Sequence, residues 1–279
     1  MKALIYLLLA LVIFTGCSTD NSTTTDEPNS IDSLRQNFNT VFKGVWVLSD
    51  YLEAIEKTKS PLKSSDKLEG VVTMVIDKIT HADSMRIGVS WNNHEGYDFT
   101  AYFRQGQNRN SLKTNLPDYE EKTNFYELSY ESIGNEIFLW LNHYNKNKQL
   151  IDKRRFDKVA TTQPDTDLTW GLQYAVNERL FVGNYLLIDS TETLRKVYLK
   201  SDGTLTGYPA FKTYYVMTDY LGGPVAMLDK VIFNIDTDRS KGFAFKKLKD
   251  TTYLYSTTGD EDAGEIVKID KVRYKLVKN

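Results

Sequence analysis

The sequence predicts an all-β fold of antiparallel strands that form a barrel or a sandwich. Apolar and polar side chains alternate with a period of two along many short segments, and turn residues separate these segments at hairpin spacing. In the segment Phe125–Glu131, Tyr126, Leu128 and Tyr130 fall on one face, whereas the residues between them are acidic or carry a hydroxyl group. This pattern is typical of a strand with one buried and one solvated side, and short strands without intervening helices favour antiparallel pairing.

The same alternation places strands along the whole chain. In the first half they are expected at Val45–Ser49, Val71–Ile79, Met85–Trp91, Tyr97–Arg104, Phe125–Ile133, Glu136–Tyr144 and Leu150–Val159. In the second half they are expected at Asn184–Asp189, Leu194–Lys200, Phe211–Thr218, Lys230–Ile235, Gly242–Leu248, Tyr253–Ser256 and Ile266–Val277.

One short helix is expected after the first strand. Asp50 and Glu53 have the spacing of a capping box, with Asp50 as the N-cap. Tyr51 and Ile55 lie on an apolar stripe, and Ser60-Pro61 ends the pattern. A helix here would cover the mouth of a barrel, as either a fixed plug or a moving lid.

Two pairs of short segments, each about half a chain apart, indicate an internal repeat. Phe42–Asp50 and Phe181–Asp189 share the pattern Phe-x-Gly-x-(Trp/Tyr)-x-Leu-x-Asp, and Arg155–Val159 and Arg273–Val277 share Arg-aromatic-x-x-Val. Each half therefore opens and closes alike. A duplicated domain and one continuous β domain with chance matches both remain open.

The motif Gly44-x-Trp46 in the first strand, together with an arginine in the last strand, resembles the pattern of the lipocalins and the wider calycins. The resemblance implies up-and-down barrels in which the tryptophan packs under the terminal arginine and closes one end. Carried over, it implies that Trp46 stacks with Arg155 and Tyr185 with Arg273, as a planar guanidinium over an aromatic ring. It also implies two lipocalin-like domains, 38–160 and 171–279.

The N-terminal residues indicate export and lipid attachment. Lys2 precedes an apolar run of about a dozen residues, which is too short for a stable membrane span and suits a signal peptide over 1–16. Phe14-Thr-Gly-Cys17 resembles the lipobox of bacterial lipoproteins, which implies that Cys17, the only cysteine, carries the lipid. The polar stretch that follows predicts a flexible tether over 17–37. We expect a lipid-anchored protein of the bacterial cell envelope, with the outer membrane favoured over the inner and with both the periplasmic and the surface face left open.

Composition and motifs argue against several function classes. The net charge of −2, with both signs interspersed, argues against nucleic acid as a partner. His81, His94 and His143 are scattered without ligand-like spacing, so no metal site or cofactor is predicted. The chain has no nucleophile elbow and no phosphate-binding glycine loop, so the sequence predicts a protein that is not an enzyme.

Aromatic residues are the remaining signal, with 18 Tyr, 13 Phe and 4 Trp. The segment Glu136–Tyr144 is apolar on both faces and carries Phe138 and Trp140 on one of them. We take these two residues and Tyr51 as the candidate surface for a ligand or partner. The leading hypothesis is a non-enzymatic envelope protein that binds a small apolar or amphipathic ligand. The alternatives are a protein-interaction module (an assembly factor, an inhibitor or a toxin-neutralising lipoprotein) and a surface carbohydrate-binding protein.

Overall fold

The computed structural model describes residues 31–77, 81–164, 167–220, 228–259 and 267–279. The predicted signal peptide, Cys17 and most of the predicted tether lie outside these residues. Within them, the fold is antiparallel β with three α-helices and one 3-10 helix, so the predicted fold class is confirmed at this level. No described helix is both long and apolar enough to cross a membrane.

The first half is a closed eight-stranded barrel. Its strands follow one another as neighbours in chain order, and the last pairs with the first. They are β1 (Gly44–Leu48), β2 (Val71–Ile76), β3 (Ser84–Trp91), β4 (Glu95–Gln105), β5 (Ser111–Thr114), β6 (Phe125–Ile133), β7 (Glu136–Tyr144) and β8 (Leu150–Ala160). The up-and-down barrel expected for this half is thus present.

Helix α1 (Ile31–Phe42) precedes β1 and packs into this barrel. Leu34, Phe38 and Phe42 recur every four residues, so they share one face of the helix and are buried among the inward side chains of the barrel. The rings of Phe38 and Phe42 stack at 4.4 Å and meet Tyr130 edge-on. The predicted tether over 17–37 was therefore wrong for residues 31–37, which belong to the folded body.

The second half repeats this plan. Helix α3 (Trp170–Leu180) precedes an eight-stranded antiparallel sheet, the second sheet, whose first strand pairs with its last. Its strands are β9 (Gly183–Asp189), β10 (Leu194–Leu199), β11 (Leu205–Thr206), β12 (Tyr214–Val216), β13 (Lys230–Phe233), β14 (Lys241–Leu248), β15 (Thr251–Thr258) and β16 (Lys268–Lys278). A bridge between Thr204 and Thr213 joins the two edges of the sheet, next to a 2.7 Å hydrogen bond from Leu205 N to Lys212 O.

Helix α2 (Ser49–Thr58) and the 3-10 helix Leu62–Lys67 link β1 to β2. Helix α2 was expected to cover the mouth of its own barrel, but it packs elsewhere. Tyr51, Leu52 and Ile55 are instead buried in the cluster that contains α3 and the interior of the second sheet. The helix also begins two residues earlier than expected, at Ser49, so Asp50 lies in its first turn and is not the N-cap.

Most strand predictions are close to the observed bounds. β6 and β7 match residue for residue, because β6 alternates strongly and β7 is a continuous apolar run that follows a turn. Leu128, Leu139 and Leu141 are buried inside the barrel, and Tyr126 and Tyr130 pack against them. The short strands β5 and β11 and the helices α1 and α3 were not predicted.

The two copies of the repeated motif share an unusual backbone geometry. Gly44 has φ = 145° and Gly183 has φ = 146°, a region that only glycine adopts readily. Each glycine turns the chain from the end of a buried helix into the first strand of a sheet. This shared conformation supports an internal duplication.

These two glycines provide a matched pair of substitutions. A Cβ at Gly44 would lie 2.7 Å from the carbonyl oxygen of Ala160, whereas at Gly183 its closest neighbour would be 3.6 Å away. We expect Gly183→Ala to cost about 1–2 kcal/mol, the price of the backbone conformation alone, and Gly44→Ala to cost about 3 kcal/mol or more. Urea unfolding measures both, and equal losses would contradict the steric argument.

Candidate functional site

Two cavities occupy corresponding ends of the two halves, away from the junctions with α1 and α3. One lies at the end of the barrel where β2 begins and β3 ends. The other, which we call the second-sheet cavity, lies where β9 ends and β14 begins. They differ in size, lining and charge.

The barrel cavity has a volume of about 230 Å³. Trp91, Tyr126 and Leu141 provide apolar surface, and His143 and Arg154 add polar groups. The rings of Tyr126 and His143 stack with centroids 4.2 Å apart and planes 10° from parallel. Burial raises the pKa of Tyr126 above its ordinary value.

Asp118 fixes the loop between β5 and β6 beside this cavity. Its carboxylate accepts hydrogen bonds from the backbone N–H of Glu120 and Glu121, at 2.8 and 3.1 Å, and from the Asn124 side chain at 2.8 Å. The second carboxylate oxygen lies 2.9 Å from Nε2 of His143. Burial acts to raise the pKa of Asp118, but the hydrogen bonds outweigh it and lower the pKa to about 2.

The second-sheet cavity is larger, about 500 Å³. Phe243 and Tyr274 form apolar surface within it, with ring centroids 5.5 Å apart in an edge-to-face arrangement. Behind them, Phe211 and Phe233 stack at 4.3 Å. The remaining lining is polar or small and consists of Asp189, Ser190, Thr191, Lys241, Gly242, Ser256 and Arg273. An aromatic floor beneath a polar rim suits an amphipathic ligand.

Asp189 belongs to an ordered turn at the edge of the second-sheet cavity. The Thr191 hydroxyl and backbone N–H donate to its carboxylate at 2.6 and 2.9 Å, and the Thr193 N–H donates at 3.0 Å. Arg195 Nη1 lies 3.1 Å from the other oxygen, and its guanidinium also lies over the ring of Tyr208. The Thr191 hydroxyl bond is the main cause that lowers the pKa of Asp189 to about 2. The carboxylate is therefore ionised and already has a cationic partner.

A largely buried cation lies at the opposite end of the second sheet. Lys247 Nζ donates a 2.6 Å hydrogen bond to Thr252 Oγ1 and lies 5.0 Å from the ring centre of Phe181. Burial, reinforced by Lys59 and Lys278, lowers the pKa of Lys247 to about 8. This group is away from the second-sheet cavity and contributes to packing near α3.

The barrel closure uses a different cation from the one implied by the lipocalin resemblance. Trp46 is fully buried and donates through Nε1 to the carbonyl oxygen of Phe42 at 2.8 Å. Lys158 is the residue opposite Trp46, with its Nζ 5.3 Å from the ring centre. Arg155 lies opposite Trp140 and forms an ion pair with Glu53 of α2. The implied contact between Trp46 and Arg155 is therefore corrected to Trp46 and Lys158.

In the second half, too, the aromatic residue of the motif lies opposite a lysine and not opposite the implied arginine. Tyr185 is 4% exposed, burial raises its pKa to about 12, and its partner on β16 is Lys278. Arg273 is not stacked on Tyr185 and instead lines the second-sheet cavity. The implied structural role of Arg273 is thus replaced by a position at a candidate ligand site.

The predicted ligand or partner surface is divided between two places. Phe138 and Trp140 lie on the outer side of β7, where Arg155 lies 4.9 Å from the ring centre of Phe138 and Lys153 4.4 Å from that of Trp140. Trp140 Nε1 also donates to Glu131 at 3.0 Å. Tyr51 is fully buried between the halves, and burial raises the pKa of its hydroxyl, so Tyr51 is not a surface residue.

The three histidines contact different groups. His94 Nδ1 lies 3.1 Å from Asp219, His143 contacts Asp118, and His81 forms a backbone bridge with Ser84. Within the described part of the chain, no group of three or more His, Cys, Asp or Glu side chains is placed to hold a metal ion.

The sequence reading missed most of the second-sheet cavity. Lys241, Phe243 and Phe245 alternate along β14, and Tyr274 and Leu276 alternate along β16, so these inward-facing sets were readable as strand faces. Whether these residues lie together at one end of the sheet depends on strand order and register, which the sequence of a single strand does not reveal.

The buried Lys247 generates a pH prediction. Its folded-state pKa of about 8 is below the ordinary value of 10.5, so the unfolded chain holds more protons between these pH values. Stability of the wild type should therefore rise from pH 8 to 10.5 on account of this group. We expect Lys247→Met to be more stable than wild type by about 1 kcal/mol at pH 7, and this gap should shrink by pH 10.

Urea unfolding at the two pH values measures that gap. Lys246→Met, the same change at an exposed position of the same strand, controls for loss of a surface charge. A gap that stays constant with pH would contradict the buried-cation argument.

Comparison with protein-family models, with curated proteins and with solved structures found no match. The chain's own residues and geometry therefore carry the evidence for its function.

Proposed function

We propose that this chain is a lipid-anchored protein of the bacterial cell envelope that binds a small amphipathic ligand in the second-sheet cavity, without catalysing a reaction on it. The observation that carries the proposal is a cavity of about 500 Å³ with Phe243 and Tyr274 on its floor and hydroxyl and charged groups around them. Its volume is within the range of known small-molecule sites, about 300–1,000 Å³.

The floor provides the apolar part of this site. Phe243 is 8% exposed, and it contacts Phe211, Phe233 and Tyr274 in one aromatic cluster. Because these rings support one another, the floor stays in place when a ligand displaces water from it. Burial of an apolar ligand surface against it would contribute about 25 cal/mol for each Å² removed from water.

The polar groups around the floor favour an amphipathic ligand over a wholly apolar one. Ser190, Thr191 and Ser256 carry hydroxyl groups, and Lys241 and Arg273 carry charge. A wholly apolar ligand would cover some of these groups without satisfying their hydrogen bonds, which costs free energy. A ligand with one polar end would satisfy them.

The envelope location rests on the sequence alone. Cys17 follows an apolar run and a pattern that resembles a lipobox, and it is the only cysteine of the chain. A lipid on Cys17 would place the folded body, which begins at α1, next to a membrane surface. Amphipathic molecules concentrate at such surfaces, so a membrane anchor and a cavity for an amphipathic ligand are consistent with the same binding function.

Ligand binding can be measured with the fluorescent apolar probe N-phenyl-1-naphthylamine and the full chain in lipid nanodiscs. We expect saturable binding above that of empty nanodiscs. Phe243→Leu keeps an apolar side chain but loses the ring contacts, and it should weaken binding about two- to tenfold.

The matched control is Phe103→Leu, since Phe103 is also a buried phenylalanine, in the barrel of the other half and outside the second-sheet cavity. It should lose similar stability and keep the wild-type affinity. The cavity assignment fails if the probe shows no saturable binding, or if the two variants bind it alike.

The anchor can be tested by intact mass spectrometry of the chain purified from a bacterial envelope. We expect the wild type to lack residues 1–16 and to carry a diacylglyceryl or triacyl mass on Cys17. Cys17→Ser should show neither change, whereas Ser18→Ala should show both. An unmodified thiol at Cys17 of the wild type would refute the anchor and leave the binding proposal standing.

A further inference from the structure

We infer that the second-sheet cavity selects amphiphiles whose polar end is an anion, with Lys241 and Arg273 holding that anion above Phe243 and Tyr274. The inference rests on the proposed function and adds the charge of the ligand to it. A carboxylate, sulfonate, sulfate or phosphate on an apolar or aromatic body fits this description.

The first argument is the charge of the lining. Three charged side chains line the cavity, Asp189, Lys241 and Arg273, so its lining carries a positive balance. The negative charge of Asp189 is already compensated by Arg195 and by donors from its own turn. Among the described residues, neither Lys241 nor Arg273 is placed in an ion pair, whereas Asp189 is paired with Arg195.

The second argument is the position of Lys241 on its strand. Lys241 pairs in register with Phe233 and lies two residues before Phe243, so all three belong to the inner face of the sheet. Its ammonium group therefore rises from the same face as the aromatic floor. An apolar body on that floor brings its polar end within reach of this cation.

The third argument concerns Arg273, which lies at an irregularity between β15 and β16. Leu254 pairs with Tyr274 and Tyr255 pairs with Val272, so Arg273 is the extra residue of a β-bulge. Bulges redirect side chains and occur often beside functional sites. Here the bulge places a guanidinium, which can form two parallel hydrogen bonds to an anion, on the lining of the cavity.

The barrel cavity provides an internal contrast. It also contains a cation, but Arg154 forms an ion pair with Asp152 at 3.4 Å and donates a hydrogen bond to the carbonyl oxygen of Glu69. Asp152 and Glu69 themselves line that cavity. An anion there would meet carboxylates, so the preference for an anion is specific to the second half.

The experiment uses two probes with the same aromatic body. N-phenyl-1-naphthylamine is uncharged, and 1-anilinonaphthalene-8-sulfonate adds one sulfonate. Each is titrated into the full chain in nanodiscs, and differences between variants in identical nanodiscs cancel the lipid background. We expect Lys241→Gln/Arg273→Gln to weaken binding of the sulfonate about five- to tenfold and to leave binding of the uncharged probe within about twofold.

The control is Lys246→Gln/Lys275→Gln, which removes two exposed positive charges from the same strands. It should leave both probes unchanged. Added salt should weaken sulfonate binding to the wild type and have less effect on the Lys241/Arg273 variant.

Each outcome has a separate meaning. Equal losses of sulfonate binding in the two double variants would show a general charge effect and overturn the inference. Loss of the uncharged probe in the Lys241/Arg273 variant would show that the cations shape the cavity, and would also overturn it. If neither probe binds the wild type, the proposed function itself fails.

Discussion

The structure depends on burying one helix face inside each half immediately before the first strand begins. Leu34, Phe38 and Phe42 of α1 enter the barrel core, and Leu172, Val176 and Leu180 of α3 enter the core of the second sheet, with the same four-residue spacing. A barrel of eight strands has an interior wide enough to require filling. The helices supply that filling at one end, and the glycine that follows each of them allows the chain to turn directly into a strand.

Helix α3 also determines how the halves meet. One side of α3 contributes to the core of the second sheet. The start of α3 lies against the outside of the barrel, so closely that a Cβ added at Gly171 would be 2.3 Å from Val45. Helix α2 joins the same layer, and Arg179 of α3 binds Glu56 of α2 at 2.9 Å. This layer covers the α3 end of the second sheet. The cavity is therefore confined to the opposite end, at β9, β14 and β16.

How much of the fold could be predicted from the sequence depends on how far apart in the chain the interacting residues are. The pattern of apolar residues is local, so β6 and β7 were predicted residue for residue. The repeated Phe-x-Gly-x-aromatic motif was also visible, and its two glycines share one conformation. The cation over Trp46 was not predictable, because it depends on the register between β1 and β8, which places Lys158 opposite Trp46. α1 was missed because its apolar residues directly follow a long polar stretch that was assigned to the tether, although their four-residue spacing is typical of an amphipathic helix.

The two halves show how a shared fold acquires different sites. Their strand order and helix placement correspond, yet one end cavity has a carboxylate-bound arginine and a loop fixed by Asp118, and the other has an aromatic floor with two cations. Fold alone therefore does not specify what is bound. The helices lie at the ends that correspond to the repeated motif, and the two cavities and the differences between them lie at the opposite ends. The second half has the larger of these two cavities, and its lining carries two cations and one carboxylate.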